Sequence, residues 1–174
     1  MLRQRIQPGD LLLVYLTGHG YRMFGRPVLE LQDGPITARE LLGRLAALPF
    51  GTLILIADQC YSGGFVKAAV ALGRNVVAVS SADDRHEARC EPFVRPFWLA
   101  ALAVESDADG DGTVSVEEAF RVAERGVRQA AAKTGGDDPQ YAASGACARG
   151  GNRFSIVVPS PRAAVAATAA LRPR

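Results

Sequence analysis

Two stretches of this chain are apolar without interruption and then break into glycine and a reactive side chain. "DLLLVYLTGHG" covers residues 10–20, and "TLILIADQCYSGG" covers residues 52–64. A strand with one face in water alternates apolar and polar residues. A continuous apolar run instead suits a strand covered on both faces, as in the parallel sheets of α/β domains. Shorter runs of the same kind are "NVVAVSSA" (75–82) and "RFSIVV" (153–158). Helical patterns lie between them, over 37–48, 65–73, 96–105 and 116–133. The first of these opens with Thr37 and Glu40 at the spacing of a capping box. The order β-α-β-α-β-α-α-β predicts an α/β fold with a mostly parallel sheet, right-handed crossovers and helices on both faces.

The length of 174 residues suits one domain with a sizeable core. The net charge is only +2 and the arginines are scattered, so no nucleic-acid partner is expected. No run approaches the roughly 20 apolar residues that span a bilayer, and no membrane partner is expected. The start, "MLRQRIQPGDLLLVYL", reads as a strand and not a signal peptide, because its apolar run is short and no small-residue cleavage site follows. Three cysteines, Cys60, Cys90 and Cys147, are odd in number and widely spaced, which fits neither a disulfide framework nor a zinc cluster. Free thiols favour a reducing compartment, so a cytoplasmic location is expected. Residues 159–174 are rich in Ala and Pro with little to bury. They read as a disordered tail behind a domain over 1–158.

Ligands of open α/β sheets sit beyond the carboxyl ends of the strands. His19 and Cys60 both fall there, on strands joined by one crossover. Parallel neighbours lie about 4.8 Å apart, so the two side chains can face one cleft. An imidazole beside a thiol can take its proton and later return it to a leaving amine. The N–H groups of Gly20 and Cys60, in tight turns, can hold an oxyanion. Asp58 points to the same side as Cys60 and would attract Arg or Lys; a turn-capping carboxylate is the alternative. His86, in "DDRHEARCEP", is a rival base that reads as a surface residue. Taken singly, a cysteine or histidine is also compatible with a purely structural role.

"YLTGHG" followed by "IADQCYSGGF" resembles the His and Cys motifs of the caspase, metacaspase and legumain superfamily of cysteine peptidases, and is most similar to bacterial caspase-like proteins. The resemblance covers roughly residues 8–158, and the order His before Cys matches. It implies a three-layer caspase-like (caspase-haemoglobinase) fold, with His19 as base and acid, Cys60 as nucleophile, and Gly20 and Cys60 as the oxyanion hole. It also implies that Asp58 lines a pocket for a basic P1 side chain, with Thr17 where the family has a pocket serine. Ser80 and Ser81 would form another wall. The superfamily's domain begins with two further strands and a helix, so an N-terminally truncated version is expected here. "DDPQYAASG" (137–145) resembles a Pro-Gln stretch of the same family.

"DADGDGTVSVEE" (107–118) places Asp107, Asp109 and Asp111 at positions 1, 3 and 5, Gly112 at 6 and Glu118 at 12. That is the spacing of an EF-hand calcium loop, with Thr113 offering its backbone carbonyl. A solvated acidic turn capping the next helix is the alternative. Similar loops recur in bacterial caspase-like proteins. The leading expectation is therefore a cysteine endopeptidase acting on peptides or proteins after Arg or Lys, with bound Ca2+. The alternatives are a catalytically inactive caspase-fold scaffold and a calcium-binding interaction module.

Overall fold

The computed structural model describes residues 4–88, 93–134 and 155–157. The elements are β1 (Leu11–Leu16), β2 (Gly20–Met23), β3 (Arg26–Leu29), β4 (Ile36–Thr37), α1 (Ala38–Ala46) and β5 (Thr52–Ala57). They continue with α2 (Gly63–Val70), β6 (Val76–Ser80), α3 (Val94–Leu102), α4 (Val116–Thr134) and β7 (Ser155–Val157). The main sheet has the order β1-β5-β6-β7. β1, β5 and β6 are parallel, with Leu16 beside Ala57 and Ala57 beside Ser80, and β7 runs antiparallel to β6.

Strand alternation divides the core in two. Leu53, Leu55, Ala57, Val76 and Ala78 pack with Leu42 of α1 and with Phe65, Val66 and Ala69 of α2. On the other face Ile54, Ile56, Val77 and Val79 pack with Phe97, Ala100 and Ala101 of α3 and with Val116, Ala119, Phe120 and Ala123 of α4. Three parallel strands flanked by helices are thus present, an arrangement compatible with a three-layer sandwich. Among the described residues no helix is long and apolar enough to cross a membrane.

The expected capping box is present. The Thr37 hydroxyl accepts from the Glu40 N–H at 3.2 Å, and the Glu40 carboxylate accepts from the Thr37 N–H at 3.0 Å. Arg74 closes the far end of α1: its guanidinium donates to the carbonyls of Ala46, Leu48 and Phe50 and lies 4.0 Å over the Phe50 ring.

A second sheet, β2-β3-β4, departs from the sequence reading, which had no element between the His strand and α1. Its first two strands join through Phe24 and Gly25, both at positive φ (50° and 77°), as a two-residue hairpin turn demands. The strands are too short to show a period, and Phe-Gly is not among the residue pairs that mark a two-residue hairpin turn. The elements assigned over 37–48, 65–73, 96–105, 116–133 and 153–158 are found with shifted ends. The 137–145 stretch, Cys90, Cys147 and the 159–174 tail lie outside the described residues.

Phe97 is fully buried between α4 and the sheet and touches both Phe93 and Trp98. Phe97→Ala should cost about 3–5 kcal/mol of unfolding free energy, read from the urea midpoint. A loss under 1 kcal/mol would mean that this layer is not packed as described.

Candidate functional site

The carboxyl ends of β1, β5 and β6 meet at one level of the sheet. One residue beyond the last paired row come Thr17, Asp58 and Ser81, all on the α3–α4 face by alternation. Ser80 belongs to the opposite face, with Val76 and Ala78. The structure therefore groups Ser81, and not Ser80, with Asp58.

Asp58 is half-buried, and its pKa is pushed up to about 6 by that burial; the Ser81 hydroxyl, short of a full hydrogen bond, opposes the shift. The Asp58 N–H donates to the Leu16 carbonyl at 2.8 Å, which ties it to the end of β1. Next to it, the Gln59 side chain is buried, with neither amide atom hydrogen-bonded among the described residues.

The His19 turn and the Cys60 turn are in direct contact. A Cβ built on Gly20 would overlap the Cys60 carbonyl and come within 2.9 Å of Gln59 Cγ. Only glycine allows that approach. His19 itself is exposed, and its carbonyl accepts from the Glu30 N–H at 2.9 Å. That bond belongs to the ladder between β2 and β3, in which alternate residues exchange hydrogen bonds. The Gly20 N–H consequently faces away from the hairpin. The Cys60 N–H has no hydrogen bond among the described residues. His19 and Cys60 share no hydrogen bond either; the thiol is a partly buried free cysteine, with its sulfur 4.0 Å from the Ala88 carbonyl.

The segment 83–88 lies against this turn, a contact with no signal in the sequence. The Tyr61 N–H donates to the His86 carbonyl at 3.1 Å, and the Tyr61 hydroxyl donates to Glu87 at 3.3 Å. Ser62 exchanges hydrogen bonds with Ala82, and Lys67 pairs with Asp84 at 2.6 Å. A Cβ on Gly63 would come within 2.7 Å of the Asp83 backbone. Tyr61 sits at φ 60°, a left-handed conformation with no signature in its residue type. Burial, and then the nearby charge of Glu87, raise the Tyr61 phenol's pKa. His86 is exposed, as the sequence suggested, and its Nδ1 lies 2.7 and 2.8 Å from the two oxygens of Asp83.

The acidic loop folds around its own backbone. Asp107 accepts from the N–H groups of Gly110 (2.8 Å), Asp111 (3.2 Å) and Gly112 (2.9 Å). Glu118 accepts from Ala108 at 2.8 Å and, through its other oxygen, from the N–H and hydroxyl of Ser115, both at 2.8 Å. The Glu118 N–H donates to the Ser115 hydroxyl oxygen at 3.1 Å, so Glu118 also completes a capping box at the start of α4. Burial raises the Glu118 pKa, but the bonds from Ser115, Ala108 and Asp109 outweigh it and hold the group below its ordinary value. Carboxylate oxygens of Asp107, Asp109 and Glu118 lie within 4.8 Å of one another. Asp111 stands apart from that group and takes the N–H and hydroxyl of Thr113 at 2.8 and 2.6 Å. Three carboxylate oxygens this close together could hold a metal ion.

Neither the known protein-family models nor the curated proteins give a match to this chain.

A raised carboxylate pKa favours the fold most below the ordinary value of 3.8, and the benefit is lost as pH rises through about 6. Ionised Asp58 therefore weighs against stability at neutral pH. Asp58→Asn should stabilise the protein by about 1–2 kcal/mol at pH 7.5, after allowance for solvent screening, and the gain should vanish by about pH 4. Urea unfolding across that range measures it; a gain independent of pH would assign the effect to something other than charge.

Proposed function

We propose that this chain carries a caspase-like cysteine endopeptidase domain in which His19 and Cys60 do the chemistry. The observation that supports this most is the fit of Gly20 against the Cys60 carbonyl, which sets the His and Cys turns against each other at the ends of adjacent parallel strands. In the proposed reaction Cys60 Sγ attacks a peptide carbonyl carbon while His19 takes the thiol proton. The N–H groups of Gly20 and Cys60 receive the charge on the carbonyl oxygen. His19 then gives the proton to the departing amine, leaving a thioester. Water, deprotonated by His19, cleaves the thioester and regenerates the thiol.

Asp58, with Thr17 and Ser81 on the same face, is proposed to receive an Arg or Lys side chain at P1. A carboxylate–guanidinium contact in such a site is worth roughly 2–3 kcal/mol, or about 30- to 150-fold in discrimination. The preference should fall as pH drops through about 6, where free Asp58 takes up a proton. Thiol-probe labelling of Cys60, with peptide-library profiling of the wild type and Asp58→Ala, tests this reading. The expected result is labelling in both proteins and basic P1 selectivity only in the wild type. Cleavage after Asp, or selectivity retained in the variant, would show the pocket to be elsewhere.

A second reading, an inactive scaffold, is favoured by one observation: the thiol faces the Ala88 carbonyl and has no bond to His19. Failure of Cys60 to label and absence of turnover would establish it.

We also propose that Asp107, Asp109 and Glu118 hold a calcium ion, joined by the Thr113 carbonyl; Asp111 would have to turn away from Thr113 to take part. Calcium at 100-fold over its dissociation constant would stabilise the fold by about 2.7 kcal/mol. A rise in Tm with millimolar CaCl2, absent in Asp107→Asn, is the expected outcome. An unchanged Tm together with no heat of binding by calorimetry would remove calcium and leave the peptidase reading intact.

A further inference from the structure

Arg22 lies on β2 two residues beyond Gly20, and strand alternation turns both to one face of the β2–β3 hairpin. Their cross-strand partners on that face are Pro27 and Leu29. Gly20 fits against the Cys60 carbonyl, a Cβ on Gly64 would overlap the Pro27 ring, and Leu29 packs in the α1–α2 core. This face of the hairpin therefore rests on the turn from Cys60 to Gly64. Arg22 stands beside Pro27 in that contact, its Cα about 7 Å along the strand from Gly20. Its guanidinium is fixed without a carboxylate. Nε and Nη2 donate to the Gly25 carbonyl at 3.2 and 2.8 Å, so the hairpin's own turn holds the side chain. Arg22 is exposed and forms no ion pair among the described residues. Glu87, on the segment that faces Tyr61, is engaged by the Tyr61 hydroxyl. Burial raises the Tyr61 pKa, and the Arg22 charge opposes that shift, so the charge reaches the residue next to the thiol.

We propose that Arg22 selects for an Asp or Glu side chain at P2′, two residues past the scissile bond. The inference rests on the peptidase reading above, which sets the direction of the substrate chain. Asp58, Thr17 and Ser81 lie on the α3–α4 face of the sheet, whereas Leu29 places the hairpin over the α1–α2 face. A peptide with P1 at Asp58 and its carbonyl at Cys60 therefore leaves across the hairpin with its primed residues. An extended chain advances about 3.3 Å per residue, so the distance from Gly20 to Arg22 corresponds to two residues. The guanidinium has five N–H donors, of which the Gly25 carbonyl takes two; the rest suit a carboxylate. Because the side chain is already held, little of its rotamer freedom is lost on binding. Because it is exposed, the selectivity is modest, about three- to fivefold over the neutral amide.

Two measurements on the full chain test this. In a peptide library with amidated ends, the wild type should favour Asp and Glu over Asn and Gln at P2′. Arg22→Gln should lose that preference and keep the P1 preference. The second measurement needs no turnover. Alkylation of Cys60 by iodoacetate, relative to neutral iodoacetamide, reports positive charge near the thiol and is read by mass spectrometry of the Cys60 peptide. The ratio should fall about twofold in Arg22→Gln at low salt, and the difference should shrink in about 0.5 M NaCl. Arg22→Lys keeps the charge without the paired bonds to Gly25 and should keep the ratio, which separates charge from support of the turn. Arg26→Gln removes the same charge from the opposite face of the hairpin and should leave the ratio unchanged. Cleavage with no acidic preference at P2′ would overturn the proposal, as would a ratio indifferent to Arg22→Gln or equally sensitive to Arg26→Gln. A ratio that falls as expected in a protein that cleaves nothing would remove the peptidase reading and keep Arg22 as a carboxylate-binding residue of the Cys60 turn.

Discussion

Every residue of β5 from Thr52 to Ala57 is buried, and the other elements are arranged to keep it so. A strand with no face in water needs a paired neighbour on each side and a helical layer above and below. β1 and β6 supply the first, and α1–α2 and α3–α4 the second. Fully burying a Leu or Ile side chain is worth about 1.5–3 kcal/mol, so the Leu53–Ile56 quartet contributes roughly 6–12 kcal/mol, about as much as the whole net stability of a typical domain. The chain can become polar again only where β5 leaves the sheet. Asp58, Gln59 and Cys60 sit at that exit, and the raised pKa of Asp58 follows from how much of the apolar packing still surrounds it.

The same logic decides what could be read beforehand. β5 and β6 were legible because burial on both faces leaves an unbroken apolar run. β1 carries the same kind of run and was found as a strand, but it is not covered on both faces as expected, since Leu13 and Tyr15 are exposed. The start of α1 was legible because Thr37 and Glu40 announce a capping box. The small sheet was not: four residues do not make a period, and the buried Val28 and Leu29 are too few to outweigh the surrounding polar sequence. Side-chain direction was legible only in part. The resemblance joined Ser80 and Ser81 in one pocket wall, whereas alternation along β6 separates them and leaves only Ser81 on the Asp58 side. Tyr61 could not be anticipated, since its left-handed backbone is imposed by tertiary contacts and not by its residue type. In the acidic loop, spacing alone joined Asp111 to Asp107 and Asp109. A local competitor, the Thr113 hydroxyl, draws it away.

Glu118 carries two structural duties. One oxygen gathers the start of the acidic loop through the N–H groups of Ala108 and Asp109, and the other closes the cap of α4 through Ser115. Both duties need the ionised form. The loop is therefore held together by backbone dipoles turned toward its carboxylates, which reduces the mutual repulsion of a cluster with no basic residue inside it. Acid weakens both connections at once: the contribution of the depressed Glu118 pKa is present above the ordinary carboxylate value and is lost as pH falls through the folded one.

The left-handed Tyr61 is held by the His86 carbonyl and by Glu87, some 25 residues further along the chain. An unsupported residue of this kind would relax, because the conformation costs about 1–2 kcal/mol. The geometry of the Cys60 turn is thus borrowed from segment 83–88, and the two must open together. Reactivity of the thiol then becomes a matter of local opening and reclosing, governed by few hydrogen bonds and little buried area. It can vary by orders of magnitude while the global stability of the sheet stays constant.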